Sequence, residues 1–205
     1  MGALIGIDEV GRGCLAGPLL VVAARVVGEL PSGLRDSKLM TKYQRETIYR
    51  LLTANCQFGE GWVKAYEIDK HGLANSMRLG TARALKNLGT RIEEQIIIDG
   101  KVNYLPNKFI NSRSLIKADG TVPIVSAASI YAKVTRDRYM TKLADKHPAY
   151  SFDSHVGYGT KTHMLAIRSR GALKYVHRFS YSPITELYGA LSSKQLSVEQ
   201  KPSTP

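Results

Sequence analysis

Apolar runs in this chain repeatedly stop at an acid, and that habit constrains the fold more than any other feature. Leu4 to Ile7 leads into Asp8 and Glu9, Ile96-Ile97-Ile98 ends at Asp99, and Leu115-Ile116 is followed by Asp119. Short apolar runs bounded by turn residues read as buried strands. In an open α/β sheet, strand ends meet at a common edge, which is where ligands usually bind. Four carboxylates gathered there cannot all stay ionised unless cations neutralise them. Oxygen-only donors suit Mg²⁺ or Mn²⁺ better than zinc. Two such ions about 4 Å apart can activate a water and stabilise a leaving oxygen in phosphodiester hydrolysis. Each acid alone has a plainer reading: Asp8 and Glu9 can solubilise a strand end, and Asp99-Gly100 and Asp119-Gly120 are common turn dipeptides. The joint pattern carries the argument.

The rest of the chain reads as an α/β fold with a mixed central sheet flanked by helices and a helical C-terminal region. Leu19 to Val27 is apolar and β-branched, a second strand, and Gln57 to Ala65, with the single tryptophan, is a third. Gln95 to Asp99 and Ser114 to Lys117 supply two more. Thr41 with Gln44 three residues on is a capping box opening a helix to about Thr53. Glu67 to Leu88, Pro123 to Lys146, Thr160 to Ser169 and Pro183 to Leu191 are the other helices. Residues 1–190 are expected to form one domain, and 191–205, rich in Ser, Lys, Gln and Pro, a disordered tail.

Charge narrows the partner. The chain carries 29 Lys and Arg against 17 Asp and Glu, a net of +12. Residues 1–100 have a net of +2 and residues 101–205 a net of +10. Such a surplus favours a polyanion, because neutralising phosphates releases condensed counterions. No run approaches a membrane span, and the N-terminus has no basic segment before an apolar one, so a cytoplasmic protein is expected. Cys14 and Cys56 show no metal-ligand spacing and read as free thiols.

Two turns stand out. Gly11-Arg12-Gly13-Cys14-Leu15-Ala16-Gly17 fails the dinucleotide fingerprint, since its third glycine is late and a strand follows. What remains is a loop whose backbone can approach a ligand closely, with Arg12 available for phosphate and free backbone groups able to sense a ribose 2′-OH. Gly157-Tyr158-Gly159-Thr160 precedes a helix that Thr160 can cap, leaving Tyr158 to project and stack on a sugar or base; a core tyrosine is the alternative. Asp137 shares a helix face with Ser126 and Lys133. It reads either as an ion-pair partner of Lys133 or as a contact supporting a metal site from outside. His147, His155, His163 and His177 match no metal site and are expected at the surface or on phosphate.

Taken together, these segments resemble the ribonuclease HII family. Gly6-Ile7-Asp8-Glu9-Val10-Gly11-Arg12-Gly13 with Ala16-Gly17-Pro18 is similar to its opening signature. Asp36-Ser37-Lys38, Ile98-Asp99-Gly100, Lys117-Ala118-Asp119, Ser126 to Ile130, Ala132 to Asp137 and Gly157 to Thr160 follow in the family order. The resemblance implies a ribonuclease H-like fold in which Asp8, Glu9, Asp99 and Asp119 hold two Mg²⁺ or Mn²⁺ ions. It also implies that Gly11, Arg12 and Gly13 with Tyr158 read the junction between a ribonucleotide and the next deoxyribonucleotide, and that Lys38 contacts phosphate. The implied activity is hydrolysis of the RNA strand of RNA/DNA hybrids and cleavage 5′ of single ribonucleotides in duplex DNA, leaving 3′-hydroxyl and 5′-phosphate ends. Cys14 and Ala118 depart from the family pattern at positions that touch no implied ligand. The related ribonuclease HIII enzymes usually lack the arginine in the glycine turn and carry an extra N-terminal domain, which is not expected here. A monomer is expected. Gln195-Leu196-Ser197-Val198 faintly resembles a sliding-clamp peptide but lacks an aromatic anchor.

Two rivals remain on the residues alone. Another carboxylate-dependent nuclease of the same fold, such as a junction resolvase or an exonuclease, would share the acids but not the two glycine turns. A non-catalytic nucleic-acid-binding module would bind in a salt-sensitive way without Mg²⁺ and would not cut.

Overall fold

The computed structural model of the chain describes residues 4–34 and 40–188. β1 (Leu4–Val10), β2 (Leu19–Val26) and β3 (Cys56–Val63) form an antiparallel meander, with Ile7 opposite Ala23 and Val22 opposite Glu60. β4 (Gln95–Asp99) pairs with the free side of β1 in parallel, and β5 (Ser112–Leu115) pairs in parallel with β4. The order β3-β2-β1-β4-β5 makes a five-stranded mixed sheet. β2 is buried over its first six residues, which is why its sequence shows no alternation: helices cover both of its faces.

Between the strands lie α1 (Lys42–Asn55), opened by the Thr41–Gln44 capping box, and α2 (Ala65–Leu88), which is interrupted at Gly72. α3 (Ala118–Thr121) is a single turn leading into α4 (Pro123–Lys146). Ile5, Ile7, Val21, Ile96 and Ile98 pack under Ile68, Met77 and Leu85 of α2. On the opposite face Leu20, Val22 and Ala24 meet Leu52 of α1 and Ile124, Ala127 and Ala128 of α4. Gly6 allows that second contact to be close, since a Cβ there would fall 2.5 Å from the Ile124 carbonyl carbon. A third cluster joins Leu15 and Met140 to α5 (Phe152–His155), α6 (Lys161–Arg170) and the helical residues 184–188.

Three expectations shift. The fifth strand runs from Ser112 to Leu115 rather than 114 to 117, because its edge is polar and Ile116 is exposed. Asp119 consequently lies not at a strand end but in α3, whose backbone turns it back towards β4. The histidines are the third case: His155, His163 and His177 are buried, not on the surface. The tail from 191 and the Gln195–Val198 segment lie outside the described residues. No helix among the described residues is long and apolar enough to cross a membrane.

Candidate active site

β1 and β4 are parallel, so their carboxyl ends reach the same edge of the sheet. The pairing of Ile7 with Ile98 sets Asp8 beside Asp99. Asp8 is buried and accepts a hydrogen bond from the Glu9 amide at 2.8 Å and one from the Ser129 hydroxyl of α4. Burial, reinforced by the charges of Glu9 and Asp99, raises its pKa well above the carboxylate range. Asp99 accepts from the Ala118 amide at 2.7 Å, which fastens α3 to the end of β4; Asp119, the next residue, is buried. Ser126 donates to the Asp119 carbonyl at 2.7 Å, tying α3 to α4. Glu9 reaches Arg12 at 3.5 Å, a long and largely exposed contact worth little by itself.

This is an all-oxygen donor set with surplus negative charge on a buried member. It fits a hard divalent cation, which would offset the burial and the repulsion that hold Asp8 towards its protonated form. Among the described residues, no three His, Cys, Asp or Glu side chains already stand as a closed metal-binding group. The edge gathers the acids without converging them.

Beside the carboxylates, the two glycine turns are joined to one another. The Gly157 carbonyl accepts from the amides of Leu15 at 2.8 Å and Ala16 at 3.2 Å, and the Cys14 thiol reaches the Val156 carbonyl at 3.6 Å. Gly157 has φ +90°, and a Cβ there would meet the Ala16 oxygen at 2.3 Å. Gly11 has φ +84° and leaves no room for a Cβ above the Arg136 side chain. Gly13 differs from both: nothing lies within 4 Å of the Cβ it lacks, so the fold does not itself require glycine there. The Arg12 side chain is 49% exposed. Tyr158 is 43% exposed on its turn, with its hydroxyl near the Cys14 thiol and its pKa raised, first by partial burial and then by that neighbour. Thr160 caps α6 by accepting from the His163 amide.

Two fully buried arginines hold this assembly. Arg136 donates to the carbonyls of Pro18 (2.8 Å), Val156 (2.8 Å) and Ala16 (3.2 Å). Arg178 donates to those of Gly11 (2.7 Å), Arg12 (2.9 Å) and Gly17 (2.9 Å). Sequence reasoning missed both, because buried arginines are rare and nothing local announces them. Asp137 pairs with Lys133 at 2.9 Å, and its charge also reaches the Tyr158 hydroxyl. Lys38 lies outside the described residues. Cys14 and Cys56 are free and buried.

The ribonuclease HII family model matches residues 5–184. This chain belongs to the ribonuclease HII family. It is 39% identical over 180 residues to ribonuclease HII of Orientia tsutsugamushi, covering 87% of this chain and 85% of that protein. Ribonuclease HII of Fusobacterium nucleatum is 41% identical over 182 residues, 85% and 83% of the two chains. Among solved structures, ribonuclease H2 from Pyrococcus horikoshii superposes with a TM-score of 0.72 at 27% identity, covering 93% of this chain and 99% of that one. Two more share the fold at lower identity. The ribonuclease HII of the Archaeoglobus fulgidus complex with PCNA has a TM-score of 0.71 at 24% identity, covering 87% and 95% of the two chains. Bst-RNase HIII in complex with Mn²⁺ has a TM-score of 0.69 at 20% identity, covering 94% and 71%. The sheet and its flanking helices are therefore those of the ribonuclease H fold. As a ribonuclease HII family member, the chain is an endoribonuclease acting on the RNA of RNA/DNA hybrids.

Proposed function

We propose that this enzyme depends on two divalent ions, Mg²⁺ or Mn²⁺, held by Asp8, Glu9, Asp99 and Asp119, and that it also cuts 5′ of single ribonucleotides embedded in duplex DNA. The observation that carries the reading is Asp8: buried, pressed by two other acids, and set beside a pair of interlocked glycine turns. Bound ions would supply water activation and stabilisation of the leaving 3′ oxygen. The protein's share is positioning. The Ser129 and Glu9 donors orient Asp8, and the Ala118 amide orients Asp99. Gly13 leaves an unobstructed backbone for the strand to approach, and Arg12 lies at the surface to pair with phosphate. Tyr158 offers a ring face for stacking at the junction, where the glycine turn senses the 2′-OH. Lys38 is assigned to phosphate, and Asp137 to supporting the site from outside, through Lys133 and beside Tyr158.

The decisive experiment is cleavage mapping on a DNA duplex carrying one ribonucleotide, with and without Mg²⁺. A Mg²⁺-dependent cut on the 5′ side of the ribonucleotide, with 3′-hydroxyl and 5′-phosphate ends, is expected. Cleavage of a long hybrid with none on the single-ribonucleotide duplex would overturn the junction reading and leave the family activity standing.

A further inference from the structure

Three histidines lie beneath the Tyr158 turn, and their hydrogen bonds fix which nitrogen carries each proton. The Leu173 amide donates to His177 Nδ1 at 2.8 Å, so a neutral His177 has its proton on Nε2. That proton faces His163 Nε2 at 3.1 Å, which leaves the His163 proton on Nδ1, 2.9 Å from the Tyr158 carbonyl. His155 accepts from the Gly157 amide at Nδ1 (3.2 Å) and donates from Nε2 to the Tyr150 carbonyl (2.7 Å). Its ring stacks on His163 at 4.3 Å. The result is a directed chain of donors, Leu173 to His177 to His163 to Tyr158, in a site lined by Tyr150 and Phe152.

The anchor of the chain is shared with the other turn. Residues 176–178 run against the glycine loop: Gly17 donates to the Val176 carbonyl, Ala16 bridges to His177, and the Arg178 amide donates to the Leu15 carbonyl. Arg178 then holds the carbonyls of Gly11, Arg12 and Gly17 from below. One three-residue segment therefore fastens both turns.

We propose that His163 and His177 are positioning residues: through this donor chain they set Tyr158 at a fixed spacing from the Arg12 turn, so that one ribonucleotide junction can engage both. The inference rests on the assignment of Tyr158 to junction reading. A histidine pair that merely filled space would be replaceable by apolar side chains without changing substrate preference. A pair that aims Tyr158 matters most where a single junction is the only feature to read. On a long hybrid, many equivalent contacts remain when one is lost.

The test compares kcat/KM on a single-ribonucleotide duplex and on a long RNA/DNA hybrid, with thermal melting beside it. His163→Leu, which removes one of the two donors to the Tyr158 carbonyl and leaves the Thr160 amide, should lose about 3- to 10-fold more on the single-ribonucleotide substrate than on the hybrid, the worth of about one hydrogen bond. His163→Asn, whose amide can replace Nδ1–H, should recover the ratio to within about twofold. In a Tyr158→Ala background, His163→Leu should shift the ratio no further, since the two act through one ring. Should His163→Leu fail to fold, His177→Asn keeps an acceptor for Leu173 and removes only the donor to His163, and should move the ratio in the same direction. Equal losses on both substrates from His163→Leu or His177→Asn, or a shift that persists without Tyr158, would overturn the proposal. If Tyr158→Ala alone loses equally on both substrates, the junction assignment has failed instead.

Discussion

The carboxylate edge and the paired glycine turns adjoin, yet they are built on opposite plans. At the edge, burial first and the charges of two other acids after it drive the pKa of Asp8 up, so the protein alone holds these groups at a cost. At the turns, two buried arginines donate to the carbonyls of six different residues between Gly11 and Val156, and the arrangement is satisfied without any ligand. The difference teaches which part waits for its partner. The turns are held by the protein's own donors, whereas the edge would gain its charge balance only from a bound cation.

The largest effect should come from the edge. Asp8→Asn or Asp99→Asn should lower kcat by about a thousandfold or more, since losing a transition-state metal contact costs several kcal/mol, while binding measured without turnover survives. Activity within about tenfold of the parent would remove these residues from the ligand set. The contrast also predicts the sign of a stability change. A carboxyl with a raised folded pKa stabilises the fold only when protonated, so at neutral pH without divalent ions Asp8→Asn should melt no lower than the parent.

Arg178→Met should do the reverse, destabilising the protein by about 3–5 kcal/mol by orphaning buried carbonyls. Denaturant melts would show it, and an unchanged midpoint would mean that the turns are held by something else.

Tyr158→Ala should lose about 5- to 150-fold on a single-ribonucleotide duplex, the value of one stacked base, and less on a long hybrid. Tyr158→Phe should keep most of the activity. A core role would instead show as equal losses with a lowered melting temperature. Gly13→Ala sharpens the same point: nothing in the fold opposes the added methyl, so melting should shift by less than about 1 kcal/mol while cleavage falls. Cleavage at the parental rate would place the substrate backbone elsewhere.

The smallest effect is one of pH. Burial holds His163 and His177 at about 4, well below the ordinary 6.5. The unfolded chain therefore takes up protons first as pH falls, and stability contributed by the neutral pair is lost between about 6.5 and 4. From pH 7 to pH 6 the loss should be about 1 kcal/mol, readable in paired melts, and His163→Asn should reduce it.

Much of the edge was legible because its signals are local. An apolar run ending in Asp99 predicts a strand with those bounds, and Thr41 with Gln44 predicts a helix start, both of which the structure reproduces. Asp119 was placed too simply: the polar Ser112-Arg113-Ser114 stretch forms a strand only because β4 offers it an edge, and no local pattern shows that. The supports of the turns were illegible for a related reason. Nothing near Gly11 in sequence points to Arg178, and residue-type averages send arginine to the surface and leave histidine intermediate. The burial of the two arginines depends mainly on carbonyls more than a hundred positions away.

That distance has a consequence for synthesis. The four acids have all been translated once residue 119 is made, but the glycine turn is fastened by residues 136, 157 and 176–178. Contacts spanning 161 to 167 positions close late, after the loop between them has been ordered. A ribosome-bound or truncated chain ending before residue 176 therefore carries every acid but lacks the segment that fastens the glycine turn. The glycine turn is thus secured only by the last of these segments to be translated, and a chain cut before residue 176 should leave it unfastened.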